Sequence, residues 1–402
     1  MTKYMSEANG FPYHEDIHLR VLLELTDQLK IPKGKYEDAE NKYKAVAEYL
    51  HRYFKDDEEF KDLDIYLQGS VNLRTSVKPY DSNEYDIDLV LHIPHLEYYR
   101  SPELVKEKIG KALFDNDSYE DKIEELNRGW RINYAGDFHL DITPAIPDNA
   151  CDNACPGYKQ FAEFVPDSKL LEWKPSNPRG YFEWFHEIDE IRPIFANDNK
   201  SVLAMESNSI QDVPSQDEYR GILRRTIQLL KRHRDIYFNE KHSKLKKYAP
   251  ISILITTLAA KAYEKLIKSG EYITPLDLIQ SIIANMPNYI HNASGDAYVG
   301  NPTNLNENFA EKWNETGSYH EHAFEIWIEA VHKDIEIILS SEGIDIVAKN
   351  INETFGNNYG NKVIAAFNKE VTNNRELGLM SGLMLTEGVS EAKVEKNTFF
   401  GA

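Results

Sequence analysis

Apolar residues recur along this chain with two different periods. Positions 14–29 and 36–54 read as helices, the second setting Tyr43, Val46, Ala47, Leu50 and Phe54 at helical spacing. The rhythm then changes. Short apolar or alternating runs at 64–68, 85–92, 130–134 and 138–145 predict strands, with a helical stretch at 102–114 between the second and third. Prolines 144, 147, 156, 166, 175 and 178 punctuate the next span, which reads as loop-rich. Helical spacing returns at 218–238, where Leu223, Ile227, Leu230 and Ile236 are apolar. The stretch 251–267 is apolar over most of its surface and predicts the central buried helix of a bundle, completed by 275–284, 320–339 and 361–370. From about Val371 the periodicity fades into a polar tail. The order predicts an α+β, bilobal protein: a mixed-sheet palm with N-terminal helices over 1–170, a mainly helical lobe over 171–370 completing a cleft, and a flexible tail over 371–402.

Composition narrows the function. A chain of 402 residues, 41% hydrophobic and 11% aromatic, can bury a substantial core. Its net charge of −20 argues against constitutive nucleic-acid binding, where neutralisation of phosphates by Lys and Arg supplies most of the affinity. Only 241–247 is locally basic, and it reads as a solvated helix or loop end. Cys151 and Cys155 are expected as thiols in a loop and fit a reducing compartment; a zinc site would need two further ligands at suitable spacing, and none follows. The N-terminus has no apolar signal core, and the longest apolar run, 251–260, is too short to span a bilayer. The expected location is cytoplasmic, without a membrane.

The candidate chemistry lies on the predicted strands. In Tyr85-Asp86-Ile87-Asp88-Leu89, side chains two apart share a face, so Asp86 and Asp88 project together while Ile87 and Leu89 point into the core. Neighbouring carboxylates repel unless a cation sits between them, and hard oxygen ligands suit Mg²⁺ with substrate phosphates. Asp141, between Leu140 and Ile142 on another strand, makes sense facing the same ions. The strand 64–68 ends at Gly69-Ser70, where glycine lets backbone N–H groups approach a phosphate and serine adds a hydroxyl. The set implies metal-assisted phosphoryl or nucleotidyl transfer.

Leu67-Gln68-Gly69-Ser70, Thr75, Tyr85-Asp86-Ile87-Asp88-Leu89-Val90 and Leu140-Asp141-Ile142 together resemble the DNA polymerase β-type nucleotidyltransferase superfamily. Within it, the chain is similar to the bacterial cGAS/DncV-like nucleotidyltransferases (CD-NTases) from about Glu15 to the C-terminus. Further matches are Trp173 to Tyr181, Leu229 to Asp235, Ala249 to Ile253, and the end Phe399-Phe400-Gly401-Ala402. One departure is the fifteen-residue gap between Ser70 and Asp86, longer than usual and explained by the turn-rich insert 78–84.

The resemblance implies a cyclic oligonucleotide synthase acting on NTPs, ATP among them, in antiphage signalling. Asp86, Asp88 and Asp141 would hold two Mg²⁺ ions, for which Mn²⁺ can substitute. Gln68, Gly69, Ser70 and Thr75 would shape the phosphate loop. Lys231 would contact the triphosphate tail and Ser252 would add a second hydroxyl; a helix-cap role for Ser252 stays open. Tails like Gly401-Ala402 are substrates of an E1/E2-like transferase in this family. Which bases are selected is open, since Tyr181 and Tyr248 are two of 24 tyrosines. The alternatives are a linear or RNA-tailing nucleotidyltransferase and a catalytically silent nucleotide-binding regulator.

Overall fold

The computed structural model describes residues 17–366, apart from 81–84, 135–137, 152–153, 196–220, 271, 294 and 357. Two helices open the chain, α1 (Ile17–Leu29) and α2 (Lys33–Phe54). Strands β1 (Asp64–Gln68), β2 (Tyr85–His92), β3 (Ile123–Leu126), β4 (Gly129–Tyr134) and β5 (Phe138–Pro147) follow, with the short α3 (Gly69–Asn72) after β1 and α4 (Pro102–Phe114) after β2. They form one mixed sheet in the order β1-β2-β5-β4-β3. The strands β2 and β5 run parallel, while the β1–β2, β4–β5 and β3–β4 pairs are antiparallel.

Alternation divides this sheet by chemistry. One face carries Ile87, Leu89, Leu140 and Ile142, buried against Val46, Leu50 and Phe54 of α2 and Val105, Ile109 and Leu113 of α4. The opposite face carries Asp86, Asp88 and Asp141. The helix α4 starts where the sequence asks it to: the Ser101 side chain accepts from Leu104 N, and Pro102 takes the first turn.

Two further strands, β6 (Glu163–Asp167) and β7 (Glu172–Ser176), lie inside the span expected to be loop. They pair with each other, and β6 joins the end of β5. Pro166 and Pro175 hid them; proline lacks a ladder donor and is tolerated at such sheet margins.

The remaining chain is mostly helical: α5 (Pro178–Asp189), α6 (Ile222–Ile236), α7 (Ser252–Ser269), α8 (Pro275–Asn285), α9 (His320–Leu339) and α10 (Ile344–Phe355). Leu223, Ile227 and Leu230 of α6 share a core with Leu254, Ile255 and Leu258 of α7. The same core takes in Leu22, Leu25 and Leu29, so α1 packs with the helices although it precedes the sheet. Among the described residues no helix is long and apolar enough to cross a membrane.

The cysteines depart from expectation. Cys151 and Cys155 are not thiols but a disulfide, buried beside Ala162. Their Cα atoms lie 6.0 Å apart, within bridging range. The inference of a reducing compartment from these two residues is thereby withdrawn. The tail, with Gly401 and Ala402, lies outside the described residues.

Candidate active site

Strand register assembles the acidic cluster. Asp88 on β2 lies opposite Asp141 on β5, and Gln68 at the end of β1 lies opposite Asp88. Asp86 is two residues back on the same face of β2. The three predicted carboxylates therefore share one patch of sheet, reached from residues 55 positions apart by the β2–β5 pairing. Burial, then repulsion from Asp141 and Asp86, pushes the Asp88 carboxyl up to about 7.

The loop after β1 is built against this cluster. Gly69 takes a left-handed conformation, φ +66°, and a Cβ at this position would fall 2.2 Å from Asp88 Oδ2. Only glycine allows the chain to turn so close to the carboxylate. Leu73 N donates to Gly69 O and Thr75 N to Ser70 O, closing a compact turn. The Ser70 hydroxyl lies 3.0 Å from that of Ser76.

Helix α6 fastens the loop from the other lobe. The Lys231 ammonium donates to Thr75 O at 3.2 Å and to Thr75 Oγ1 at 2.9 Å, and Gln228 Nε2 donates to Ser76 O at 3.0 Å. Lys231 is only 3% exposed, and burial lowers its pKa to about 7. Lys231 sits beneath the loop and holds Thr75, which is itself fully buried. Ser252 does start α7, but no side-chain cap hydrogen bond is present; its hydroxyl accepts from Arg234 Nη1 at 3.0 Å. Tyr181 is buried with its hydroxyl 2.8 Å from Thr257 Oγ1, so it is withdrawn from base stacking. Tyr248 stays partly accessible beside Tyr319 and His320.

Sequence reading overlooked Arg131. It stands on β4 opposite Asp141, donating from Nε to Asp141 Oδ1 at 2.6 Å and from Nη2 to Asp141 Oδ2 at 2.8 Å. Its Nη2 is also 3.5 Å from Asp86 Oδ1. The available signal was its place between Trp130 and Ile132, the same polar-between-apolar pattern that marked Asp141.

The donor set fits divalent metal: three hard carboxylates on one sheet face, one of them raised toward neutrality by its neighbours. As they stand, no three His, Cys, Asp or Glu side chains among the described residues are gathered closely enough to hold an ion. The Arg131 guanidinium lies against Asp141 and within 3.5 Å of Asp86.

Comparison with known proteins decides the family. Residues 19–189 match the Second Messenger Oligonucleotide or Dinucleotide Synthetase domain. A c-di-GMP synthase of Roseivirga ehrenbergii is 30% identical over 393 residues, covering 94% of this chain and 96% of that protein. The chain belongs to the bacterial cGAS/DncV-like nucleotidyltransferases. It is a nucleotidyltransferase that makes cyclic oligonucleotides. Solved structures share the fold of this synthase. The Bradyrhizobium diazoefficiens CD-NTase CdnG in complex with GTP has a TM-score of 0.62 at 21% identity, covering 88% of this chain and all of that one. Escherichia coli DncV in a 3'-deoxy GTP bound form scores 0.59 at 15% identity, covering 85% and 95%. The CdnC:HORMA-deltaN complex of E. coli MS115-1 scores 0.56 at 13% identity, covering 86% and 98%.

Proposed function

We propose that this enzyme joins two nucleoside triphosphates into a cyclic dinucleotide by two-metal nucleotidyl transfer, with GTP the first substrate to test. One observation carries the reading: the Gly69–Ser76 loop is locked at the end of β1 directly against Asp88, on the face shared by Asp86 and Asp141. Full-length kinship with a c-di-GMP synthase supports guanosine as the base.

Asp86, Asp88 and Asp141 would hold two Mg²⁺ ions, or Mn²⁺ in their place. Bound there, the ions would supply the charge that activates an acceptor hydroxyl and neutralises the departing pyrophosphate. The protein's own contribution is placement. Gly69 and Ser70 offer backbone N–H and hydroxyl donors beside the carboxylates, and Lys231 and Gln228 prevent the loop from drifting. Gln68, Thr75 and Ser252 act at one remove: Gln68 from the end of β1, Thr75 by receiving Lys231, and Ser252 by receiving Arg234, one turn along α6 from Lys231. The proposed role of the product is antiphage signalling, with the C-terminal Gly401-Ala402 as the substrate that an E1/E2-like transferase would join to other molecules.

The test is product analysis. Purified enzyme is incubated with each α-labelled NTP, singly and mixed, with Mg²⁺ or Mn²⁺, beside an Asp86→Ala/Asp88→Ala control. A phosphatase-resistant product with the mass of a closed two-nucleotide ring from GTP alone, absent from the control, is expected. Linear products with removable terminal phosphates would refute the cyclisation, and a ring containing other bases would refute the assignment to GTP.

A further inference from the structure

The sheet rung that holds Asp88 and Asp141 continues one strand further. Gln68 lies opposite Asp88, Asp88 opposite Asp141, and Asp141 opposite Arg131. The Arg131 guanidinium occupies both oxygens of Asp141 in a two-pronged contact, at 2.6 and 2.8 Å, and reaches Asp86 at 3.5 Å. Such a fork is the strongest way a guanidinium can hold a carboxylate. Two of the three candidate metal ligands therefore already face a cation, and the cluster as it stands is not gathered around an ion-sized point.

We infer that Arg131 is the resident counter-cation of the metal-free site. It holds Asp141 and Asp86 in place and must yield at least one Asp141 oxygen when divalent ions load, so it sets the metal affinity of the enzyme. The inference rests on the metal-ligand reading of the three aspartates. Its consequence runs opposite to that of a plain strand-to-strand ion pair. If Arg131 only braced Asp141, deleting it would loosen a ligand and weaken metal binding. As a competitor, its deletion removes a like charge beside the ions and frees two carboxylate oxygens, and binding tightens.

The experiment measures Mn²⁺ binding to full-length protein without nucleotide, by calorimetry and by the electron paramagnetic resonance signal of free Mn²⁺. Wild type, Arg131→Met, Arg131→Lys and Asp86→Ala/Asp88→Ala are compared. Arg131→Met is expected to bind Mn²⁺ at least tenfold more tightly than wild type. Its melting temperature should fall below wild type without Mn²⁺ and rise more steeply than wild type with added Mn²⁺, whereas a bracing role predicts a smaller rise than wild type. Arg131→Lys keeps the charge but not the fork and should bind at least threefold more tightly than wild type; if Arg131→Met does not fold, this variant decides. Equal or weaker binding by the Arg131 variants, with wild type still binding better than the double alanine variant, would overturn the inference and leave the metal reading intact. Binding by neither wild type nor the Arg131 variants would overturn both.

Discussion

Replacing Gly69 by alanine tests how closely the phosphate loop is built against the acidic cluster. The backbone at Gly69 has φ +66°, and a side chain there costs about 1–2 kcal/mol from left-handed conformation alone. The new methyl would also lie 2.2 Å from Asp88 Oδ2 and 3.0 Å from Asp88 Cγ. Asp88 is held between β1 and β5, so its backbone cannot retreat and the carboxylate must rotate off the shared face. Overpacking of this kind adds about 1–3 kcal/mol. With an unfolding entropy of about 2.1 cal/mol/K per residue, a total of about 2–5 kcal/mol lowers the melting temperature by about 2–6 °C. Pyrophosphate release should suffer far more, with kcat/KM falling by about 10²-fold, because a reactive group misplaced by an ångström costs that much. The Asp88→Ala/Gly69→Ala pair separates the two costs. Without the carboxylate, Gly69→Ala should cost only its conformational share, about 1–2 kcal/mol by thermal or urea unfolding. An undiminished cost in the Asp88→Ala background, or full activity in Gly69→Ala alone, would refute the proposed contact.

Further expectations concern charge and anchoring. The Asp88 carboxyl is raised in the folded, metal-free protein, so it contributes stability at low pH that is lost as pH climbs from about 4 through about 7. Asp88→Asn should flatten that part of the melting-temperature profile, and saturating Mg²⁺ should flatten it in wild type; a profile unchanged by either would count against the repulsion. Mg²⁺ affinity should also weaken as pH falls below about 7, when a proton competes for Asp88. Lys231 has the opposite sign: its folded pKa is lowered by burial, so stability is regained as pH rises from about 7 toward its ordinary value of 10.5. Lys231→Met should remove that gain while roughly preserving the fold, yet raise the KM for NTP by about tenfold, as losing the charged hydrogen bonds to Thr75 costs about 1.5 kcal/mol. An unchanged KM would show that the loop does not need the anchor.

The acidic pair and its loop were legible because strand periodicity is local. Asp86 and Asp88 must share a face wherever the strand goes, and an aspartate between Leu140 and Ile142 has few innocent explanations on a buried strand. The Gly69-Ser70 turn was equally local, since positive φ beside a strand end selects glycine. The α+β layout followed from the switch between two periods, and the helices at 102–114 and 320–339 match their expected bounds.

What the sequence could not state are facts of register and burial. Asp141 was expected beside Asp86 and Asp88, as the β2–β5 register has it, but Arg131 meets Asp141 only because β5 lies between β2 and β4, an order fixed by long-range packing. Lys231 reads as one more charge on a basic helix; its burial under Thr75 depends on where α6 meets the loop that follows β1. Cys151 and Cys155 read as thiols because a count says nothing of the distance between their Cα atoms, which is 6.0 Å. The strands β6 and β7 vanished behind prolines that the sheet margin tolerates. Residue type and spacing thus determined which groups could do the chemistry, while the sheet order and the helical lobe decided which of them meet, because contacts between distant segments are chosen by shared burial and not by neighbouring sequence.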